Sequence, residues 1–202
     1  MSLGTLRTIT YIPKNKTGRL PAVFYLQGFP CDTQELGQNS TDPRKLAYED
    51  WVKAGYVVFR VERPNLGDSV TSKDCRDIDF EEEIEVNKAG YKKLLSYDFV
   101  DKNNIFFFGH SMGAVTAPIV AQMQQPKGIM VYGVVVRSWF EYFIDINRVQ
   151  ITYAGVPLIA AEKATRDTIP FLYEWLEVGK SPDELRKNPA YKPKPPLAAR
   201  RN

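Results

Sequence analysis

The sequence predicts an α/β fold built on a doubly wound, mostly parallel sheet. Three observations predict it. Short apolar runs alternate along the chain with stretches of helical periodicity, which is the pattern of strand–helix–strand units. Leu20–Leu26 is almost continuously apolar, as a strand buried on both faces requires. Asp79–Tyr97 is long and amphipathic, and a run of glutamates follows its start at Asp79, where a helix N-terminus favours negative charge.

Each predicted strand is a short segment of β-branched, aromatic and aliphatic residues with turn residues at its ends. The first strand alternates and is rich in Thr, Ile and Tyr. The later ones are nearly continuous apolar runs, as the central strands of a parallel sheet are. The predicted strands are Leu6–Ile12, Leu20–Leu26, Tyr56–Val61, Asn104–Phe108 and Gly128–Val136.

The predicted helices connect or follow these strands. Pro43–Ala54 begins with a proline and is followed by Gly55, and both residues suit helix ends. The helix after the fourth strand is rich in small and apolar residues. The predicted helices are Pro43–Ala54, Asp79–Tyr97, Ser111–Met123, Trp139–Val149 and Thr165–Val178, with a short helical turn at Pro182–Arg186.

Length and composition predict one sizeable core with a small appendage. The chain has 202 residues, of which 44% are hydrophobic. Residues 1–138 are predicted to form the α/β core. Residues 139–202 are predicted to form a helical cap or lid that ends in a proline-rich basic tail. Because the formal net charge is only +3 and basic residues are interleaved with acidic ones, no nucleic-acid partner is predicted.

The sequence also predicts the absence of a membrane span, a metal site and a cofactor. The longest apolar run, residues 129–136, is too short to span a bilayer. Cys31 and Cys75 have no metal-binding spacing; reduced thiols are the ordinary expectation, and a single bridge is the alternative. No glycine-rich phosphate loop follows any strand. No signal peptide is evident at the start of the sequence, and the compartment stays open with the cytoplasm as the default expectation.

A G-x-S-x-G motif follows the predicted strand Asn104–Phe108 and leads into a helix. Its sequence is Gly109-His110-Ser111-Met112-Gly113. Glycines on both sides of Ser111 permit a turn that is too tight for larger residues, and the turn lifts the serine hydroxyl clear of the sheet. It also sets Ser111 at a helix N-terminus, where free amides can stabilise an oxyanion. Ser111 is therefore the predicted nucleophile.

The loop after Leu20–Leu26 is the predicted site of oxyanion binding. Gly28 lets the backbone approach a substrate carbonyl oxygen, and the predicted donors are the backbone N–H groups of Phe29 and Met112. The loop after Tyr56–Val61 is predicted to be scaffold, including its residues Arg63, Asp68 and Ser69.

These loops, in this order, resemble the α/β-hydrolase superfamily. Their residues are similar to those of a bacterial subgroup of uncharacterised serine hydrolases related to esterases and serine aminopeptidases. The resemblance covers most of residues 5–150 and implies hydrolysis of an ester or peptide-like amide bond in a small molecule or peptide. Gln27 stands where the superfamily often has a histidine that supports the loop. The segments that carry the resemblance are Leu26–Pro30, Gly67–Ser69, Asp79–Phe80, Phe99–Asp101, Phe108–Gly113, Ala117–Pro118, Val131–Gly133 and Ser138–Tyr142.

The resemblance also implies an acid and a histidine after the serine, and this sequence has neither in an evident place. Its one histidine, His110, precedes Ser111 and is predicted to support the turn while pointing away from the hydroxyl. Some lipase-like relatives have the acid directly after the strand Gly128–Val136, and Glu141 and Asp145 are the candidates for it; the preferred interpretation is that both are ordinary acids on a helix surface. The family has two further strands after Gly128–Val136, so the chain is expected to be the N-terminal part of a longer hydrolase and a poor catalyst alone.

Two functions compete at this point. In the first, an acyl-enzyme forms at Ser111, and aromatic residues of the cap line a substrate pocket or simply pack together. In the second, the fold is a non-catalytic interaction module that self-associates through an exposed sheet edge or through cap helices. The cap aromatics in question are Trp139, Phe140, Tyr142, Phe143, Phe171, Tyr173 and Trp175.

Overall fold

A computed structural model describes residues 4–37 and 39–191, and the predicted basic tail therefore lies outside the described residues. The chain divides into two units, one up to Val134 and one from Val135. The described part of the first unit contains seven strands: β1 Gly4–Thr5, β2 Thr8–Tyr11, β3 Leu20–Leu26, β4 Val57–Val61, β5 Val70–Thr71, β6 Val100–His110 and β7 Gly128–Tyr132. Its helices are α1 Pro43–Lys53, α2 Phe80–Leu95 and α3 Met112–Val120.

Five strands form the main sheet in the order β2, β4, β3, β6, β7. Strand β2 runs antiparallel to β4, and the other three pairings are parallel. The remaining strands, β1 and β5, form a separate antiparallel ladder. The observed sheet confirms the predicted mostly parallel α/β fold.

Helices cover both faces of this sheet, as the doubly wound prediction requires. On one face, α2 and α3 pack against the strands through buried side chains such as Tyr91 and Ala117, around Phe24. On the other face, Tyr48 of α1 packs against Tyr25 and Val58. The ring centroids of Tyr25 and Tyr48 lie 5.3 Å apart in an edge-on arrangement.

The start of α2 follows the prediction in detail. Asp79 is its N-cap, and its side chain accepts a hydrogen bond from the Glu82 N–H at 2.8 Å. The Glu82 side chain returns the contact by accepting from the Asp79 N–H at 3.0 Å, which completes a capping box.

Two predicted strand boundaries were wrong. Strand β6 begins at Val100, four residues before the predicted start, although its first residues are polar. Strand β7 ends at Tyr132 rather than Val136, because Gly133 adopts a positive φ of 61° and turns the chain out of the strand.

The second unit is helical throughout its described part. Its elements are α4 Trp139–Asp145, a π-helix Ile146–Gln150, α5 Ile151–Tyr153, α6 Leu158–Leu176, α7 Pro182–Lys187 and a short 3₁₀ turn, Pro189–Tyr191. The prediction missed the first seven residues of α6 and the π-helical turn. Aromatic side chains from α4 and α6 pack against each other, with the rings of Phe143 and Trp175 5.6 Å apart. Within the described residues of both units, no helix is long and apolar enough to cross a bilayer.

The Tyr91 hydroxyl gives a test of this core. The side chain is fully buried, and its Oη has no hydrogen-bond partner among the described residues. Removing an unsatisfied buried hydroxyl is favourable, so Tyr91→Phe is expected to stabilise the fold by about 1 kcal/mol in urea unfolding.

The same burial raises the pKa of the Tyr91 phenol from its ordinary 10.0 to about 12. The phenol therefore ionises more readily in the unfolded chain than in the fold, so the stability of the fold is complete below pH 10 and is lost as the pH rises to about 12. Tyr91→Phe should remove that part of the alkaline loss. An unchanged or lower stability of the variant at pH 7 would contradict the assignment.

Candidate active site

The predicted nucleophile lies at the junction of β6 and α3. Ser111 is the N-cap of α3, with φ of 54° and ψ of −117°, a conformation that non-glycine residues seldom adopt. Its N–H donates to the Tyr132 carbonyl oxygen at 2.9 Å, and its carbonyl oxygen accepts from the Ala114 N–H at 3.0 Å. Hydrogen bonds on both sides thus hold the strained turn between β7 and the first turn of α3.

The two flanking glycines allow this turn because nothing larger fits. A β-carbon on Gly109 would overlap the carbonyl oxygen of Gly113. A β-carbon on Gly113 would overlap the carbonyl oxygen of Leu26 and lie 2.7 Å from that of Gln27. The start of α3 therefore rests directly on the carboxyl end of β3.

This packing brings the two predicted oxyanion elements to one edge of the sheet. Leu26 of β3 pairs with Gly109 of β6, so the loops that leave these two strands start side by side. A β-carbon on Gly28 would lie 3.2 Å from the Ser111 Cβ. Phe29 follows with its side chain 67% exposed. The assignment of the Phe29 and Met112 amides as donors remains a prediction.

His110 lies beside the same loop. Its ring stacks on Tyr132, with the centroids 5.4 Å apart and the planes inclined by 16°. A β-carbon on Gly28 would lie 3.0 Å from the His110 Nδ1. These contacts are of the kind that a packing residue makes, and the supporting role of His110 also remains a prediction.

Arg63 ties the loop after β3 to α2. One of its terminal nitrogens donates to the carbonyl oxygens of Phe29 and Pro30, at 2.7 and 2.6 Å. Its other terminal nitrogen and its Nε donate to the two carboxylate oxygens of Glu83, at 2.9 and 2.7 Å. Both side chains are buried, with 2% and 4% exposure.

A disulfide joins Cys31 of this loop to Cys75, with a Cα–Cα distance of 5.9 Å. The expectation of reduced thiols was therefore wrong. The cysteines are 44 residues apart in sequence. The loop after β3 and the segment before α2 come together in a sheet in which β3 and β4 are neighbours.

A buried carboxylate makes a third attachment of the loop. Glu62 Oε1 accepts from the Thr33 hydroxyl at 2.8 Å and from the Gln34 N–H at 3.0 Å. Gln27, which stands where the superfamily often has histidine, is buried, and its Oε1 has no partner in residues 4–37 and 39–191.

The acids considered as partners of the serine are engaged within the second unit. Glu141 forms a capping box with Ser138, accepting from its N–H at 3.1 Å. Asp145 forms an ion pair with Arg137 at 3.2 Å.

Comparison with known proteins gives structural likeness only. No family model and no curated protein matches the chain. The solved structure of DcsB in complex with its substrate analogue has a TM-score of 0.53 and 18% identity, over 75% of this chain and 50% of that one. The α/β hydrolase GrgF from Penicillium sp. sh18 has a TM-score of 0.49 and 12% identity, over 74% and 53%. XC6422 from Xanthomonas campestris, described as a serine hydrolase without lid, has a TM-score of 0.45 and 19% identity, over 64% of this chain and 56% of that one.

The chain has a mostly parallel α/β fold that is similar to the fold of DcsB. The recognition made from the sequence motifs is thereby confirmed at the level of the fold. The chain spans about half the length of the solved structures that it resembles. The assignment of Ser111 as the nucleophile remains a prediction.

Sequence reasoning missed the attachments of the loop after β3. One signal for them was present: Arg60, Glu62 and Arg63 place three charges at the end of a strand that is otherwise apolar. Charged side chains at a buried strand end need partners, and those of Arg63 are the loop carbonyls and Glu83.

Proposed function

We propose that this chain carries the nucleophile and oxyanion half of a serine hydrolase that cleaves an ester or peptide-like amide bond. The observation that supports this most is Ser111, held at positive φ at the start of α3, with the Gly28 loop against its Cβ. A strained serine at a helix N-terminus beside a glycine loop is an arrangement suited to acyl transfer.

In this proposal the Ser111 Oγ attacks the substrate carbonyl carbon and loses its proton to a base. The carbonyl oxygen becomes an oxyanion, which the Phe29 and Met112 N–H groups stabilise. The carbon–oxygen or carbon–nitrogen bond then breaks, the leaving group takes up a proton, and an acyl group remains on Ser111. Water attacks the acyl group, releases the acid and restores the serine.

The base is the part that this chain does not provide. Its single histidine, His110, is stacked on Tyr132. A serine hydroxyl without a base is a weak nucleophile. We therefore propose that the 202 residues alone are a poor catalyst and that an imidazole outside them completes the site.

A fluorophosphonate probe tests the nucleophile, because it reacts covalently at an activated serine and forms a product that mimics the tetrahedral intermediate. We expect slow incorporation of one phosphonyl group into the wild type and none into Ser111→Ala, measured by intact mass. Ser96→Ala, which changes a serine at the end of α2, is the matched control and should label like the wild type. Equal labelling of wild type and Ser111→Ala would overturn the proposal.

A second candidate function, the self-associating interaction module, is favoured by β7. Within the described residues, this strand pairs on one side only, with β6. Four consecutive apolar side chains on it are 40% to 66% exposed: Ile129, Met130, Val131 and Tyr132. Concentration-dependent sedimentation together with failure of the probe to label would favour this candidate.

A further inference from the structure

We infer that Arg63 is a positioning residue for the oxyanion hole and that Glu83 fixes its orientation. This inference rests on the proposed function, because it assigns a role in aligning the Phe29 N–H. It goes beyond the scaffold role expected from the sequence, since the loop after β4 acts on the loop after β3.

The geometry of the guanidinium carries the argument. Glu83 accepts from Nε and from one terminal nitrogen, which holds the plane of the guanidinium in one orientation. The other terminal nitrogen has two hydrogens and two acceptors, the carbonyl oxygens of Phe29 and Pro30. Arg63 therefore holds two consecutive carbonyls, one of them on the residue whose N–H is the predicted donor.

Fixing these two carbonyls holds the peptide planes on both sides of Pro30, and the first of these planes directly follows the donor residue Phe29. Phe29 itself is 67% exposed, whereas Arg63 beneath its carbonyl is buried. An oxyanion donor is effective only when it is already aimed at the position where charge develops. Arg63 supplies this alignment through its hydrogen bonds to the loop carbonyls and does not contact the substrate.

The burial of the pair supports a role other than stability. Arg63 and Glu83 are 2% and 4% exposed, and a well-packed apolar pair of similar volume is often as stable as a buried ion pair or more so. A lysine at position 63 keeps the charge but lacks the planar fork, so it cannot bind both oxygens of Glu83 and both carbonyls in this geometry.

The test uses hydrolysis of p-nitrophenyl acetate with added imidazole as the external base, and the rate of Ser111→Ala is subtracted. Arg63→Lys is expected to lower kcat by about 10- to 100-fold, since a displacement of a catalytic group by about 1 Å has an effect of that order. KM should stay within about twofold of the wild type, because the substrate does not contact Arg63.

Arg60→Lys is the matched control. Arg60 is equally buried and lies in β4, but it donates to the side chains of Gln34, Tyr48 and Tyr11. The kcat of Arg60→Lys should be unchanged.

Glu83→Gln keeps the volume and one acceptor, and it provides a second variant if Arg63→Lys does not fold. Its kcat should fall between those of the wild type and Arg63→Lys. In ¹⁵N relaxation the order parameter of the Phe29 amide should decrease in both variants and not in Arg60→Lys. A Ser111-dependent wild-type rate with kcat unchanged in Arg63→Lys and Glu83→Gln would overturn the positioning role alone. A wild-type rate equal to that of Ser111→Ala would overturn the proposed function, and the positioning role with it.

Discussion

Replacing Gly113 with alanine is expected to lower the free energy of unfolding by about 3 kcal/mol, the upper part of the usual range for forcing extra volume into a packed site. The added methyl group would overlap the Leu26 carbonyl oxygen and approach that of Gln27. All of these are backbone atoms at the end of a central strand, so no side-chain rotation can relieve the overlap. Either α3 moves away from β3, or the turn at Ser111 opens.

The control for this prediction is Gly37→Ala. Gly37 lies in the loop after β3, and a β-carbon on it would meet nothing within 4 Å. Replacing a glycine at such a position leaves stability unchanged or raises it slightly, because it reduces the freedom of the unfolded chain. Urea unfolding of both variants makes the comparison. The same unfolding midpoint for Gly113→Ala and Gly37→Ala would show that α3 does not rest on β3 as described.

Added imidazole is expected to raise the hydrolysis of p-nitrophenyl acetate by the wild type about 10-fold above the Ser111→Ala rate at the same imidazole concentration. A positioned general base contributes roughly 100- to 10,000-fold, and an external base, which must bind and orient, recovers only part of this. Subtracting Ser111→Ala removes the direct reaction of imidazole with the ester. The activated ester is chosen because its leaving group departs without a proton.

The imidazole experiment has a clear opposite outcome. If the wild type and Ser111→Ala respond equally at every imidazole concentration, the serine is not made more nucleophilic by a base. A low activity of the chain would then not be explained by a missing base. In the absence of imidazole the two proteins are expected to differ little, since a triad that lacks its base loses most of what its serine contributes.

Local patterns were enough to predict the central parts of the fold. The limits of β3 were predicted to the residue because a strand buried on both faces is apolar throughout. The cap of α2 at Asp79 was predicted because capping depends on residues three positions apart. The turn at Ser111 was predicted in its strand–turn–helix context because its requirements lie within five residues.

Features that depend on two distant segments were missed. Cys31 and Cys75 are 44 residues apart, and their pairing follows from the neighbouring positions of β3 and β4. Arg63 and Glu83 are likewise brought together only when α2 packs on the sheet. The early start of α6 at Leu158 was missed because the N-cap is Pro157, which makes no side-chain capping hydrogen bond, so no capping residue marks the start of the helix.

The structure of the phosphonylated protein is the most direct test of the central claim, that Ser111 is the nucleophile and that the Phe29 and Met112 amides hold the oxyanion. The account predicts a covalent bond from the Ser111 Oγ to phosphorus. It also predicts that the phosphoryl oxygen lies about 2.7 to 3.1 Å from both amide nitrogens, the range expected of oxyanion donors. A phosphonyl group on another residue, or one on Ser111 whose oxygen points away from both amides, would contradict it.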